Sequence, residues 1–198
     1  MIHIAADNPH YPLVLRTYLG EDAPPQLTLW GKFEGWQPQA LALFCSSKAP
    51  ASILLTIHDL AQQWRNQGPT ILSSFQSPVE EEALTVLLRG PQPVMLWLAR
   101  GMVQRPPAAW RLALDEGRLL VVSPFKDNLR RATAETGFVR NRIVAAMADA
   151  VFFAHAQLNS KTEELATETI QWGKPVYTLA HAKNNDLLAL GAQIMPIE

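Results

Sequence analysis

The chain has 198 residues, 48% of them hydrophobic and 18% charged, with a formal net charge of −1. That length can bury a substantial core, and the near-zero charge excludes a global field drawing the protein to nucleic acid, so any polyanion site must be local. The single cysteine, Cys45, excludes an internal disulfide framework and a cysteine-based zinc site.

Taken in chain order, Met1-Ile2-His3-Ile4 leads into no signal-peptide apolar region, and no apolar run approaches the ~20 residues of a membrane span. A soluble, cytoplasmic protein with no membrane association is expected. Residues 1–39 carry Pro9, Pro12, Pro24, Pro25 and Pro38 among Tyr11, Tyr18, Trp30, Phe33 and Trp36. This composition predicts short turns and an extended cap packed on the main domain, rather than regular sheet. Trp30 and Trp36 of that cap are candidates to stack a base.

From residue 40 to 198 the pattern alternates. Apolar strands are predicted at about 40–45, 70–73, 93–98, 118–122, 150–154, 175–179 and 193–196. Helices are predicted between them at about 51–66, 78–89, 106–116, 128–148, 160–172 and 185–190. Short, continuously apolar strands separated by helices mean parallel strands buried on both faces. The expected fold is α/β: a doubly wound, mostly parallel Rossmann-like sheet with helices on both faces and right-handed crossovers. Ser77-Pro78 followed by Glu80, Glu81 and Glu82 reads as a helix start, and Gly173 as the stop of the 160–172 helix.

Two polar loops at the ends of neighbouring α/β units stand out, because open α/β sheets hold anionic ligands there. One contains Arg140-Asn141-Arg142, where a loop turns into an apolar helix; the other is Asn159-Ser160-Lys161-Thr162. Between Arg118 and Arg142 lie six basic residues (Arg118, Lys126, Arg130, Arg131, Arg140, Arg142) against Asp127 and Glu135. A ligand site and a solvated helix face both explain that excess. Arg140 and Arg142, two apart, diverge on a helix and serve one ligand only if Arg140 belongs to the loop. Ser46, Ser47, Ser73 and Ser74 put small hydroxyls at strand ends, suited to a phosphate or sugar and equally to capping the following helices. Ser160, Lys161 and Thr162 can bind an anion through N–H groups and the lysine, or simply cap; Glu163 and Glu164 beside them repel an anion. His3, His10, His58, His155 and His181 show no metal-ligand spacing, and each reads as surface or core. No nucleophile elbow, zinc-protease or phosphate-loop motif occurs, so neither cofactor nor catalytic residue is expected.

Several segments together resemble one family. Tyr11-Pro12-Leu13-Val14-Leu15 with Pro24-Pro25-Gln26-Leu27-Thr28-Leu29-Trp30-Gly31 resembles the opening "YP-x-x-L … PP-x-L" of the DNA-processing protein A family (DprA, also called Smf). Arg140-Asn141-Arg142-Ile143-Val144-Ala145 is similar to its "RNRIIA" helix start, and Gly173-Lys174-Pro175-Val176 and Asn185-Asp186-Leu187-Leu188-Ala189-Leu190-Gly191-Ala192 to its closing motifs. The resemblance spans nearly the whole chain and implies a short, divergent member with the Rossmann-like domain only and no winged-helix tail. It implies binding of single-stranded DNA without catalysis, homodimerisation, and delivery of the strand to a RecA-type recombinase. It places Arg140, Asn141 and Arg142 along the nucleic-acid groove, and Lys48 where the family's "GSR" arginine contacts phosphate. Lysine keeps the charge there but lacks the bidentate fork.

The sequence departs from the family pattern at these loops. Ser46-Ser47-Lys48 stands for "GSR", Ser73-Ser74-Phe75-Gln76-Ser77-Pro78-Val79-Glu80 replaces "SG-x-A-x-GID" without its glycines, and Ser160-Lys161-Thr162-Glu163-Glu164-Leu165-Ala166 replaces "SGSLITA". A second resemblance, to lysine-decarboxylase-like nucleotide hydrolases, implies a nucleotide sensor or an N-glycosidic hydrolase. It lacks the loop glycines and has Leu165 where that family has its glutamate. A scaffold that keeps only self-association is the third reading.

Overall fold

The computed structural model describes residues 1–36 and 39–196; Pro38 of the predicted cap lies outside them. The strands are β1 (Ile2–Ala5), β2 (Gln26–Trp30), β3 (Ala40–Cys45), β4 (Thr70–Ser73), β5 (Val94–Trp97), β6 (Leu119–Ser123), β7 (Ala150–His155), β8 (Val176–Thr178) and β9 (Gln193–Ile194). The helices are α1 (Val14–Leu19), α2 (Ala51–Trp64), α3 (Pro78–Leu87), α4 (Ala108–Glu116), α5 (Ala134–Met147), α6 (Lys161–Gln171) and α7 (Asn185–Leu190).

Among the described residues nine strands form one sheet, ordered β1-β2-β6-β5-β4-β3-β7-β8-β9. Strands β3 to β9 run parallel, as the doubly wound reading requires. The chain lays β4, β5 and β6 outward from β3, then returns to set β7 on its other side, with Leu43 opposite Phe152. Strand order therefore reverses between β3 and β7, which opens a crevice at their carboxyl ends.

The central parallel strands β3, β5, β6 and β7 are almost wholly apolar because both faces are covered. Ala42, Phe44 and Phe153 pack into one core with Val144 and Leu165, beneath α5 and α6. Leu41, Leu43 and Phe152 pack into the other with Ile53, Ile57, Val79 and Ala83, beneath α2 and α3. Each fully buried side chain of this kind stabilises the fold by roughly 1.5–3 kcal/mol.

Two expectations change. The N-terminal segment joins the sheet: β1 and β2 pair antiparallel with each other, and β2 pairs antiparallel with β6, Leu29 facing Val122. The prolines bound these strands rather than fall inside them, and Ile4, Leu27 and Leu29 gain full burial by pairing. The helix predicted over 128–148 begins only at Ala134. Thr133 closes it with a reciprocal cap, its Oγ1 accepting from the Thr136 N–H (3.1 Å) while its own N–H donates to Thr136 Oγ1 (2.9 Å). Residues 128–133 stay in the loop after β6. At the far end of this helix Lys174, 8% exposed, donates to the carbonyls of Ala146 (2.8 Å) and Ala148 and lies 4.2 Å above the Tyr18 ring. Gly173 stops α6 in the left-handed conformation, φ +73°.

Candidate nucleic-acid interface

The loops at the carboxyl edge are organised around an internal pair of charges. Glu80, in the first turn of α3, is 3% exposed. Its carboxylate accepts from the Cys45 N–H (2.9 Å), the Gln76 N–H (3.0 Å) and the Ser74 hydroxyl (2.7 Å). A residue of the protein itself thus occupies the point where N–H groups from the end of β3 and the loop after β4 converge. Ser73 turns its hydroxyl inward as well, accepting from the Phe75 N–H at 3.1 Å.

Arg140 completes this hub. It is 2% exposed and donates to the Trp97 carbonyl (3.1 Å), Gln76 Oε1 (3.2 Å) and Asn141 Oδ1 (2.7 Å). Burial lowers its pKa to about 10, against the opposing pull of the Glu80 charge, so the guanidinium stays protonated at neutral pH. Arg142 points elsewhere. Its Nε donates to both Glu168 carboxylate oxygens (2.9 and 3.0 Å), and its Nη1 lies 3.1 Å from Asp22. These bonds, that with Glu168 first, raise its pKa. Because α5 already begins at Ala134, Arg140 belongs to the helix, and the two arginines do not converge on one ligand.

The α6 start is likewise served from within. The Ser160 hydroxyl accepts from the Glu163 N–H (3.3 Å), Glu163 accepts from the Asn159 N–H (2.7 Å), and Thr162 is half-buried in the first turn. Lys161 pairs with Glu164 at 2.5 Å and lies 4.7 Å over the Phe138 ring. Ser46 stitches the switch point: its hydroxyl accepts from the Gln157 N–H and its N–H donates to the His155 carbonyl, both at 2.9 Å. Ser47 and Lys48 are exposed beside that crevice, a cavity of about 500 Å³ that also takes in Pro50, His155, Leu158, Lys183 and Asp186.

The free positive charge lies one strand further out. Arg100 and Arg105 follow β5, Lys126, Arg130 and Arg131 follow β6, and all five are exposed. Among the described residues none of the five forms an ion pair. Their loops are held edge to edge: the Gly101 N–H donates to the Leu129 carbonyl and the Ser123 hydroxyl to the Arg100 carbonyl, at 2.8 and 2.7 Å. Only glycine fits at 101, since a Cβ there would lie 2.6 Å from the Asp127 Cα and the Lys126 carbonyl oxygen. Arg100, Arg105 and Arg130 line a cleft of about 520 Å³ in which Asp127 is the one acid. Arg100 also borders a second hollow, about 270 Å³, walled by Phe75, Leu98 and Trp110. The local charge excess pointed to Lys126, Arg130 and Arg131; Arg100 and Arg105 lie outside that stretch and join it only through the pairing of β5 with β6.

Other sequence readings find their places. Cys45 is buried, and its thiol is pushed up to about 12, chiefly by burial. Trp36 donates its Nε1–H to the His10 carbonyl at 2.8 Å, and Trp30 is half-buried at the end of β2. Among the described residues no acid, histidine or cysteine cluster is arranged to hold a metal ion, and no helix is long and apolar enough to cross a membrane.

The fold is that of DNA processing protein A from Streptococcus pneumoniae: TM-score 0.80 and 18% identity, over 98% of this chain and 70% of that one. The Helicobacter pylori protein, described for its single-stranded DNA binding mode, gives TM-score 0.76 and 19% identity over 96% and 89% of the two chains. A molybdenum cofactor binding protein from Rippkaea orientalis is more distant, with TM-score 0.58 and 16% identity over 82% and 91%. No curated protein matches the chain. The sequence profile of the family described as DNA recombination-mediator protein A matches residues 2–195, essentially the whole length, and the chain belongs to that family.

Proposed function

We propose that this protein binds single-stranded DNA along the carboxyl edge of its sheet, as a binding protein rather than an enzyme. The observation that carries this is the group of five exposed cations on the joined loops after β5 and β6, none with a carboxylate partner among the described residues. Arg100, Arg105, Lys126, Arg130 and Arg131 neutralise successive phosphates. Lys48 extends the positive edge toward the switch point. The hollow lined by Phe75 and Trp110 takes an unstacked base, which a bare strand presents and a duplex does not. Arg140, Asn141, Ser73 and Ser74 act behind this surface, holding the loops in place. Family membership supports a role in recombination. On this reading the protein works in the cytoplasm as a homodimer and passes the strand to a RecA-type recombinase.

Fluorescence anisotropy with a labelled single strand of about 35 nucleotides tests the proposal. Arg100→Ala/Arg105→Ala/Arg130→Ala is expected to lose binding by well over tenfold at low salt, whereas Arg142→Ala keeps it. Wild-type affinity in the triple variant would refute the assignment.

A further inference from the structure

The hollow between the loops after β4 and β5 carries polar groups that phosphate neutralisation does not use. Its walls are mostly apolar, Phe75, Leu98 and Trp110 among them. It shares Arg100 with the cationic cleft after β5 and β6, so a strand whose phosphates follow that cleft brings a base to its mouth. Two residues that line it, Ser74 and Gln76, have their hydrogen-bonding directions fixed from behind.

Gln76 is exposed, and its Oε1 accepts from Arg140 Nη2 at 3.2 Å. A guanidinium only donates, so the amide has one orientation, and Nε2 keeps two N–H groups with no partner among the described residues. Ser74 is the converse. Its hydroxyl proton goes to Glu80 Oε2 at 2.7 Å, so what it can offer the hollow is a lone pair. The same carboxylate oxygen accepts from the Gln76 N–H at 3.0 Å, which sets the two residues side by side. Between them Phe75 stands at φ +52°, a left-handed conformation rare for a bulky residue that persists only where its surroundings determine it.

The hollow thus presents a donor beside an acceptor. The complementary edge of an unpaired base is a ring carbonyl beside a ring N–H, which thymine and guanine carry. Cytosine and adenine carry the reverse, an amino group beside a bare ring nitrogen, and would set donor against donor and acceptor against acceptor. The volume, about 270 Å³, falls below the ~300–1,000 Å³ typical of small-molecule sites and suits one ring rather than two. We infer that Gln76 and Ser74 make this hollow selective for thymine, its O4 accepting from Gln76 Nε2 and its N3–H donating to Ser74 Oγ. Arg140 is the positioning residue that holds the Gln76 amide in register. This inference rests on the strand-binding reading and adds to it which base the strand must offer.

Anisotropy with single strands of about 35 nucleotides tests it, one of deoxyuridine and one of deoxycytidine, whose bases differ only along this edge. The deoxyuridine strand is expected to bind at least about tenfold more tightly, the worth of one good hydrogen bond. Gln76→Glu keeps an oxygen for Arg140 but turns a second acceptor toward the hollow, and should reverse the preference toward deoxycytidine. Gln76→Ala, at an exposed position, should bring the preference below about threefold. Folded Arg140→Met lets the amide turn either way, so it should leave the deoxyuridine strand within about twofold and tighten the deoxycytidine strand at least about threefold. Wild-type affinities for the two strands within about twofold, or a Gln76→Glu variant that keeps the wild-type preference, would overturn the inference while leaving strand binding intact. Failure of both strands to bind at low salt would overturn the strand-binding reading and this inference with it.

Discussion

Replacing Arg140 with methionine, which keeps most of the side-chain volume, separates a structural arginine from a DNA-contacting one. The buried guanidinium makes three hydrogen bonds, to Trp97, Gln76 and Asn141, and balances the buried Glu80 charge. Hydrogen bonds from a charged group contribute ~1.5–3 kcal/mol each, and loss of one member of a buried charge arrangement costs ~3–5 kcal/mol. Against these stands the relieved cost of burying the cation, so the net loss is about 3 kcal/mol. For a chain of this length each kcal/mol lowers Tm by roughly 2–4 °C, so Arg140→Met should melt ~6–12 °C below wild type. Circular dichroism reads the melt, and anisotropy at 10 °C reads strand affinity of the folded variant, which should stay within about twofold of wild type because the cationic loops are separate from the hub. An unchanged Tm with affinity reduced tenfold or more would show that Arg140 itself touches DNA, and would refute this reasoning.

Other consequences can be checked alongside. Gly101→Ala forces apart the loops carrying Arg100 and Lys126, since its Cβ would meet backbone at 2.6 Å, and should weaken strand binding more than Gly137→Ala, where a Cβ would approach nothing beyond its own helix backbone nearer than Arg140 Nη2 at 4.0 Å. Thr133→Ala removes the cap of α5 and should lower stability by about 1 kcal/mol in urea denaturation. Burial lowers the Lys174 pKa from 10.5 to about 8, against the opposing charge of Asp149. Between these values the unfolded chain binds more protons than the folded one, so this residue makes stability rise as pH goes from 8 toward 10.5. Lys174→Met should lose that rise relative to wild type, and parallel pH profiles for the two proteins would contradict it.

The parallel part of the fold was legible because strands such as β7 are apolar without interruption from Ala150 to Ala154 and their helices carry recognisable starts, as Ser77-Pro78 shows. Strands β1 and β2 were hidden: four and five residues in a proline-rich segment read locally as turns, and only their pairing with each other, and of β2 with β6 over ninety residues away, makes them sheet. The Arg140-Asn141-Arg142 run was visible, but the direction of each side chain was set by distant partners, the Trp97 carbonyl on one side and Glu168 on the other. Arg100 and Arg105 escaped notice for a similar reason. Charge was summed along the chain, whereas the sheet sums it across neighbouring strand ends.

The most direct test of strand binding at this edge is its salt dependence. Single-strand affinity should fall with salt as log K against log[salt] with a slope of about −0.7 per phosphate neutralised, roughly −2 to −3.5 for three to five contacts. Arg100→Ala/Arg130→Ala should make that slope shallower by about 1.4. A slope near zero in the wild type, or one that the double variant leaves unchanged, would contradict the placement of the strand on these loops.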